Sequence, residues 1–141
     1  MKKTLSKIAL VALLSVPSFS FASSKALMTI VTSPNPETQL MAMVLSVKSM
    51  MKGAKVNVLL CGPASNIAIK GSKEVILKPK NMSAQMLLKK MIKKGVSVKV
   101  CPIHLPNTDK TKADLIKGVS VANPGKMADI LLEDDRKILT Y

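Results

Sequence analysis

Ala26-Leu27-Met28-Thr29-Ile30-Val31-Thr32 is a run of strand-forming residues, and Lys55-Val56-Asn57-Val58-Leu59-Leu60-Cys61 is a second. Between them Leu40, Met43, Val44, Val47 and Met51 recur at helical spacing, and Gly53 ends the pattern. Asn35 is the expected N-cap, with Pro36 at the first helical position and Glu37 in the first turn. Strand, helix, strand predicts a βαβ unit, and the crossover makes its two strands parallel.

The same alternation runs outward to the C-terminus. Ser83 caps a second helix, with Met86, Leu87, Met91 and Ile92 as its inner face. Lys89, Lys90, Lys93 and Lys94 form its outer face, and the last two suit the negative end of the helix dipole. Gly95 stops this helix, and Val96-Ser97-Val98-Lys99-Val100 is a third strand ending at Cys101. Thr111-Lys112-Ala113-Asp114 fits a capping box opening a short helix that Gly118 closes. Val119-Ser120-Val121-Ala122 is a fourth, short strand. Asn123-Pro124 starts a last helix with Met127, Ile130 and Leu131 apolar, and Lys137-Ile138-Leu139-Thr140-Tyr141 is a terminal strand. The expected fold is α/β: a single three-layer α/β/α domain around a mostly parallel, about five-stranded sheet. The segment from Gly62 to Asn81 has no clear period and is long for a connector.

The N-terminus predicts export. Lys2, Lys3 and Lys7 precede a short apolar core, Ile8-Ala9-Leu10-Val11-Ala12-Leu13-Leu14, and Ser20-Phe21-Ala22 supplies small residues for cleavage. Residues 1–22 are read as a signal peptide and 23–141 as the domain, with a soluble periplasmic product and no stable membrane insertion after cleavage. The core is too short to span a bilayer as an anchor.

The chain is strongly basic, with 22 Lys and Arg against 8 Asp and Glu and a net charge of +14. Nucleic acid is not an expected partner, because base stacking uses aromatic platforms and the chain has no Trp, one Tyr and two Phe, both of the latter in the signal. Charge alone argues solubility and attraction to anionic surfaces or partners. Its methionines fall largely on inner helical faces, Met41, Met50 and Met82 excepted, so core packing explains most of them.

Two cysteines carry the chemistry. Cys61 and Cys101 both fall at carboxyl ends of expected strands, the edge where open α/β sheets bind ligands. With a strand order of 2-1-3-4-5, the first strand separates them by about 10 Å, farther than a disulfide spans. A structural disulfide, a redox-active pair and two separate thiols all stay open. Lys99, His104 and Lys110 are near Cys101 in sequence. His104 is within reach of an ion pair with a Cys101 thiolate across a turn, or is a half-exposed loop residue. No carboxylate stands at fixed spacing to orient its imidazole, so a hydrolytic triad is unsupported. One histidine and no Cys-x-x-Cys pair argue against a structural zinc site, and Thr32-Ser33-Pro34-Asn35 is not a phosphate-binding loop. No metal and no cofactor are expected.

The layout resembles the DsrE/DsrF-like family of small sulfur-relay proteins. The likeness covers nearly the whole chain after the signal. It is carried most by Val98-Lys99-Val100-Cys101, by Ala113-Asp114-Leu115-Ile116-Lys117-Gly118-Val119-Ser120-Val121, by Ala128-Asp129-Ile130-Leu131-Leu132-Glu133, and by Ile138-Leu139-Thr140-Tyr141. The resemblance implies that Cys101 is a sulfur-accepting cysteine carrying sulfane sulfur as a persulfide, that the protein forms homo-oligomers, and that its partners are sulfur-donor or acceptor proteins. Where relay members follow the cysteine with small residues and an Arg-Gly pair, this chain has Pro102-Ile103-His104-Leu105-Pro106. On this reading Cys101 and His104 form the catalytic pair, and Cys61 is a candidate redox or structural partner. The alternatives are a non-enzymatic protein binding a small ligand or a soft metal such as Cu(I), and an oligomeric scaffold.

Overall fold

Parallel strands need a crossover between each pair, and the chain supplies them in two opposite senses. In a computed structural model that describes residues 25–141, β1 (Ala26–Val31), β2 (Lys55–Leu60), β3 (Ser97–Val100), β4 (Val119–Val121) and β5 (Arg136–Thr140) form one sheet. Every pairing is parallel. The expected signal segment, 1–22, lies outside the described residues. The helices are α1 (Pro36–Met51), α2 (Ala84–Lys93) and α3 (Pro124–Leu131).

The strand order is β4-β3-β2-β1-β5, which corrects the order 2-1-3-4-5. From β1 to β4 the chain steps one strand at a time in one direction. The last connection, through α3, then carries it across the sheet to pair β5 with the far side of β1. Right-handed crossovers in opposite directions lie on opposite faces. Accordingly α1 and α2 cover one face, where Ala42, Met43, Val47, Leu87, Leu88 and Met91 pack on strand residues such as Val31, Val58 and Val98. The other face has a small cluster of Met28, Ala122 and Met127, with Ile30 and Leu59 against it. Three α/β/α layers result.

Local chemistry sets the helix starts. The side chains of Asn35, Ser83 and Asn123 accept hydrogen bonds from the backbone N–H groups of Thr38, Met86 and Lys126, all at 3.0 Å. Each satisfies a donor that the first helical turn leaves free. A buried polar tie fixes α1 on β1. The Ser46 hydroxyl donates to the Ala42 carbonyl at 2.7 Å, so its contact with Thr29 at 2.8 Å has Thr29 as the donor.

The helix faces differ in part from expectation. Leu87 and Met91 are buried in α2, but so are Ala84, Gln85 and Leu88, whereas Met86 is 47% exposed. In α1 the buried residues are Gln39, Ala42, Met43, Ser46 and Val47, and Met51 is 67% exposed. Polar residues occupy inner positions because each finds a partner: Gln39 Nε2 donates to the Ser33 carbonyl at 2.8 Å, and Gln85 Nε2 to the Ile67 carbonyl at 3.1 Å.

The long segment after β2 is built rather than free. It opens as a 3₁₀ helix, Gly62–Ala68. Ile69 then forms an antiparallel bridge with Leu115 and Leu77 one with Met82. Lys70 N–H donates to the Asp114 carbonyl at 2.8 Å, and Ile116 N–H to the Ala68 carbonyl at 2.9 Å. The expected helix after Thr111 is a single 3₁₀ turn, Lys112–Asp114, with the Thr111–Asp114 capping box formed. No helix among the described residues is long and apolar enough to cross a membrane.

Candidate functional site

All five strands point the same way, so one edge of the sheet collects all their carboxyl ends. The hydrogen-bond ladder runs one residue beyond the strands there. Cys61 N–H donates to the Val31 carbonyl at 2.9 Å, Cys101 N–H to the Leu60 carbonyl at 2.8 Å, and Ala122 N–H to the Val100 carbonyl at 2.8 Å. Leu60 and Val100 are register partners, so Cys61 and Cys101 are the next pair along two adjacent strands. This overturns the expected separation of about 10 Å. Neighbouring strands lie about 4.8 Å apart, and no third strand intervenes.

Side chains alternate along a strand. Leu60 and Val100 are fully buried under α1 and α2, and Cys61 is still extended, with φ −128° and ψ 155°. The two thiols therefore project toward the thinly covered face, beside Ala122 of the small cluster. Both cysteines are free and only partly buried. Lys99, two residues earlier on the same face, donates from Nζ to Ser120 Oγ at 3.2 Å.

Burial, and then charge repulsion from the adjacent Cys101 sulfur, push the Cys61 thiol up to about 11. Cys61 thus keeps its proton at neutral pH.

The loop after Cys101 is tied to itself. His104 N–H donates to the Cys101 carbonyl at 3.1 Å, closing a turn with Ile103 at its exposed tip. Asn107 Nδ2 donates to the Ile103 carbonyl at 2.7 Å and Thr108 Oγ1 to the His104 carbonyl at 2.8 Å. His104 is only 8% exposed, which corrects its reading as a half-exposed loop residue. Its Nε2 is buried with no hydrogen-bond partner. Burial lowers its pKa, which favours the neutral imidazole.

Beside the pair, Ser65 Oγ donates to the Leu60 carbonyl at 3.0 Å and holds the turn that follows Cys61. Ser65 and Gln39 are buried positioning residues that sequence reading missed, since isolated polar residues carry no periodic signal. Arg136, at the opposite edge, is a buried charge that sequence reading also missed. Its side chain is fully buried and pairs with Glu133 at 2.5 Å. Two cavities of about 560 and 540 Å³ lie away from the thiols. One is at the amino edge by Lys25, Lys52 and Arg136, the other between α1 and the Leu77–Met82 bridge. Neither of these cavities is lined by Cys61 or Cys101. The described residues contain no cluster of three or more His, Cys, Asp or Glu able to hold a metal ion.

No family model and no curated protein matches the sequence. Solved structures do match the fold. The YchN protein of E. coli superposes with a TM-score of 0.66 at 18% identity, over 84% of this chain and 99% of that one. A protein of unknown function from Methanobacterium thermoautotrophicum, MTH1491, gives 0.61 at 14% identity, over 84% and 99%. A conserved protein of unknown function from Bacteroides thetaiotaomicron, BT1422, gives 0.63 at 20% identity, over 83% and 95%. At these identities the likeness is one of fold: this chain has the α/β architecture of a set of small proteins that includes two of unknown function.

Proposed function

We propose that this protein is an exported, thiol-based sulfur carrier in which Cys101 accepts a sulfane sulfur as a persulfide and hands it to a partner protein. The observation that carries this reading is the position of Cys101: a partly exposed thiol at the carboxyl end of a central strand, beside a second thiol. The sheet fixes the place of the sulfur, and its partial exposure leaves it reachable by a donor or acceptor protein. The resemblance to sulfur-relay proteins supplies the chemistry, and homo-oligomeric assembly in the periplasm belongs to the same proposal. Burial favours a neutral His104, in the role of a hydrogen-bonding neighbour of the sulfur, and Lys99 is a cation on the Cys101 face.

The test is the intact mass of protein purified from the periplasm without reductant. The expected result is a fraction heavier by about 32 Da, one sulfur atom, localised to Cys101 and removed by reductant. A Cys101 that neither carries sulfur nor reacts with iodoacetamide in the folded, reduced protein sinks the proposal.

Pairing of the two thiols favours a second reading. Two adjacent thiolates suit a soft ion such as Cu(I). Stoichiometric Cu(I) binding lost in both Cys61→Ser and Cys101→Ser, with no sulfur ever found on Cys101, would replace the first reading with this one.

A further inference from the structure

We infer that Cys61 is a resolving thiol that discharges the sulfur held on Cys101, closing a reversible Cys61–Cys101 disulfide and releasing hydrogen sulfide. The inference rests on the carrier reading and gives the second cysteine a task in it.

The geometry permits the bond without moving the backbone. Register partners on adjacent strands have Cα atoms about 4.8 Å apart, inside the roughly 4.4–6.8 Å that disulfides span. The two thiols also project to the same face. Both cysteines being only partly buried gives a reductant access.

The step balances within the molecule. Cys61 Sγ attacks Cys101 Sγ of the persulfide. The bond from Cys101 Sγ to the outer sulfur breaks, and the outer sulfur leaves with the electron pair. It takes up the Cys61 proton and departs as hydrogen sulfide. The sulfane sulfur gains two electrons, and the two cysteine sulfurs lose them as the disulfide forms. An external dithiol reductant then restores both thiols. Because burial and the neighbouring sulfur keep Cys61 protonated, attack is slow at neutral pH, and a waiting acceptor protein can take the sulfur first. Discharge is the fate of sulfur that finds no acceptor.

The experiment compares the reduced wild-type protein with its Cys61→Ser and Cys101→Ser variants, each given one equivalent of inorganic tetrasulfide without oxygen. Sulfide release and intact mass after alkylation are followed together. Wild type is expected to release about one more sulfide per chain than Cys61→Ser and to end two hydrogens lighter. Cys61→Ser should keep the added sulfur, about 32 Da, and Cys101→Ser should do neither. Raising the pH toward 11 should speed release from wild type alone. If wild type keeps its added sulfur with both cysteines still separate, discharge is overturned while the carrier reading stands. If no variant takes up sulfur, both fall.

Discussion

The two faces of the sheet are built to different standards. Under α1 and α2 the strands present Leu27, Val31, Val58, Leu60, Val98 and Val100 to a continuous core. On the other face α3 is the one helix among the described residues, and there the buried cluster shrinks to Met28, Ala122 and Met127. The thick face supplies apolar burial, the main favourable term in folding. The thin face carries both thiols. An α/β sheet can thus be held rigid from one side and left chemically reachable from the other, and the partial cover of Cys61 and Cys101 follows from this division.

Breaking the thick face should have the largest effect. Met43 is fully buried there, and Met43→Ala should cost about 3 kcal/mol in urea unfolding, leaving the iodoacetamide reactivity of the folded protein unchanged. Met127→Ala, on the thin face, should cost less because the site can collapse toward solvent. Equal costs would erase the distinction between the faces.

Gly118 gives the next largest effect. Its φ is +94°, and an added Cβ would clash with Ile92 Cγ2 of α2. Gly118→Ala combines left-handed strain with overpacking and should destabilise by about 2 kcal/mol. A variant as stable as wild type would show that the chain between the 3₁₀ turn and β4 shifts freely.

A smaller loss sharpens the comparison from the thin side. Removing the α3 cap by Asn123→Ala should cost about 1 kcal/mol, yet raise Cys101 alkylation several-fold, since Ala122 beside it loses its anchor. A stability loss with no change in alkylation would mean that α3 does not shield the thiol.

The smallest effect is a pH dependence. His104 has its pKa lowered by burial from an ordinary 6.5. The unfolded chain binds a proton there that the folded chain resists, so this contribution is intact above pH 6.5 and is lost as pH falls through the lowered value. The difference between the stability curves of wild type and His104→Leu should therefore appear only on the acid side. Parallel curves down to pH 5 would contradict the burial of this imidazole.

Much of the fold was legible because its signals are local. Asn35, Ser83 and Asn123 cap their helices as read, since a cap is decided by one side chain and the N–H groups three residues on. The strands were legible as short apolar runs between turn residues. Helix orientation was less so: α1 is apolar nearly all round, so periodicity could not tell Met43 from Met51, and the paired polar residues Gln39 and Ser46 took inner places. His104 was misread because a Pro-rich loop sequence says nothing of what folds over it.

The sequence by itself determined the fold class, the helix caps, the basic surface and the placement of both cysteines at strand ends. Each depends on residues within a few positions of one another. Only the tertiary structure decided which strand lies beside which. Parallel strands of Val, Leu and Ile expose the same backbone groups to any neighbour, so pairing carries no local code. It follows from which face each crossover packs on. That one global choice moved β2 beside β3, and with it turned two distant thiols into a pair.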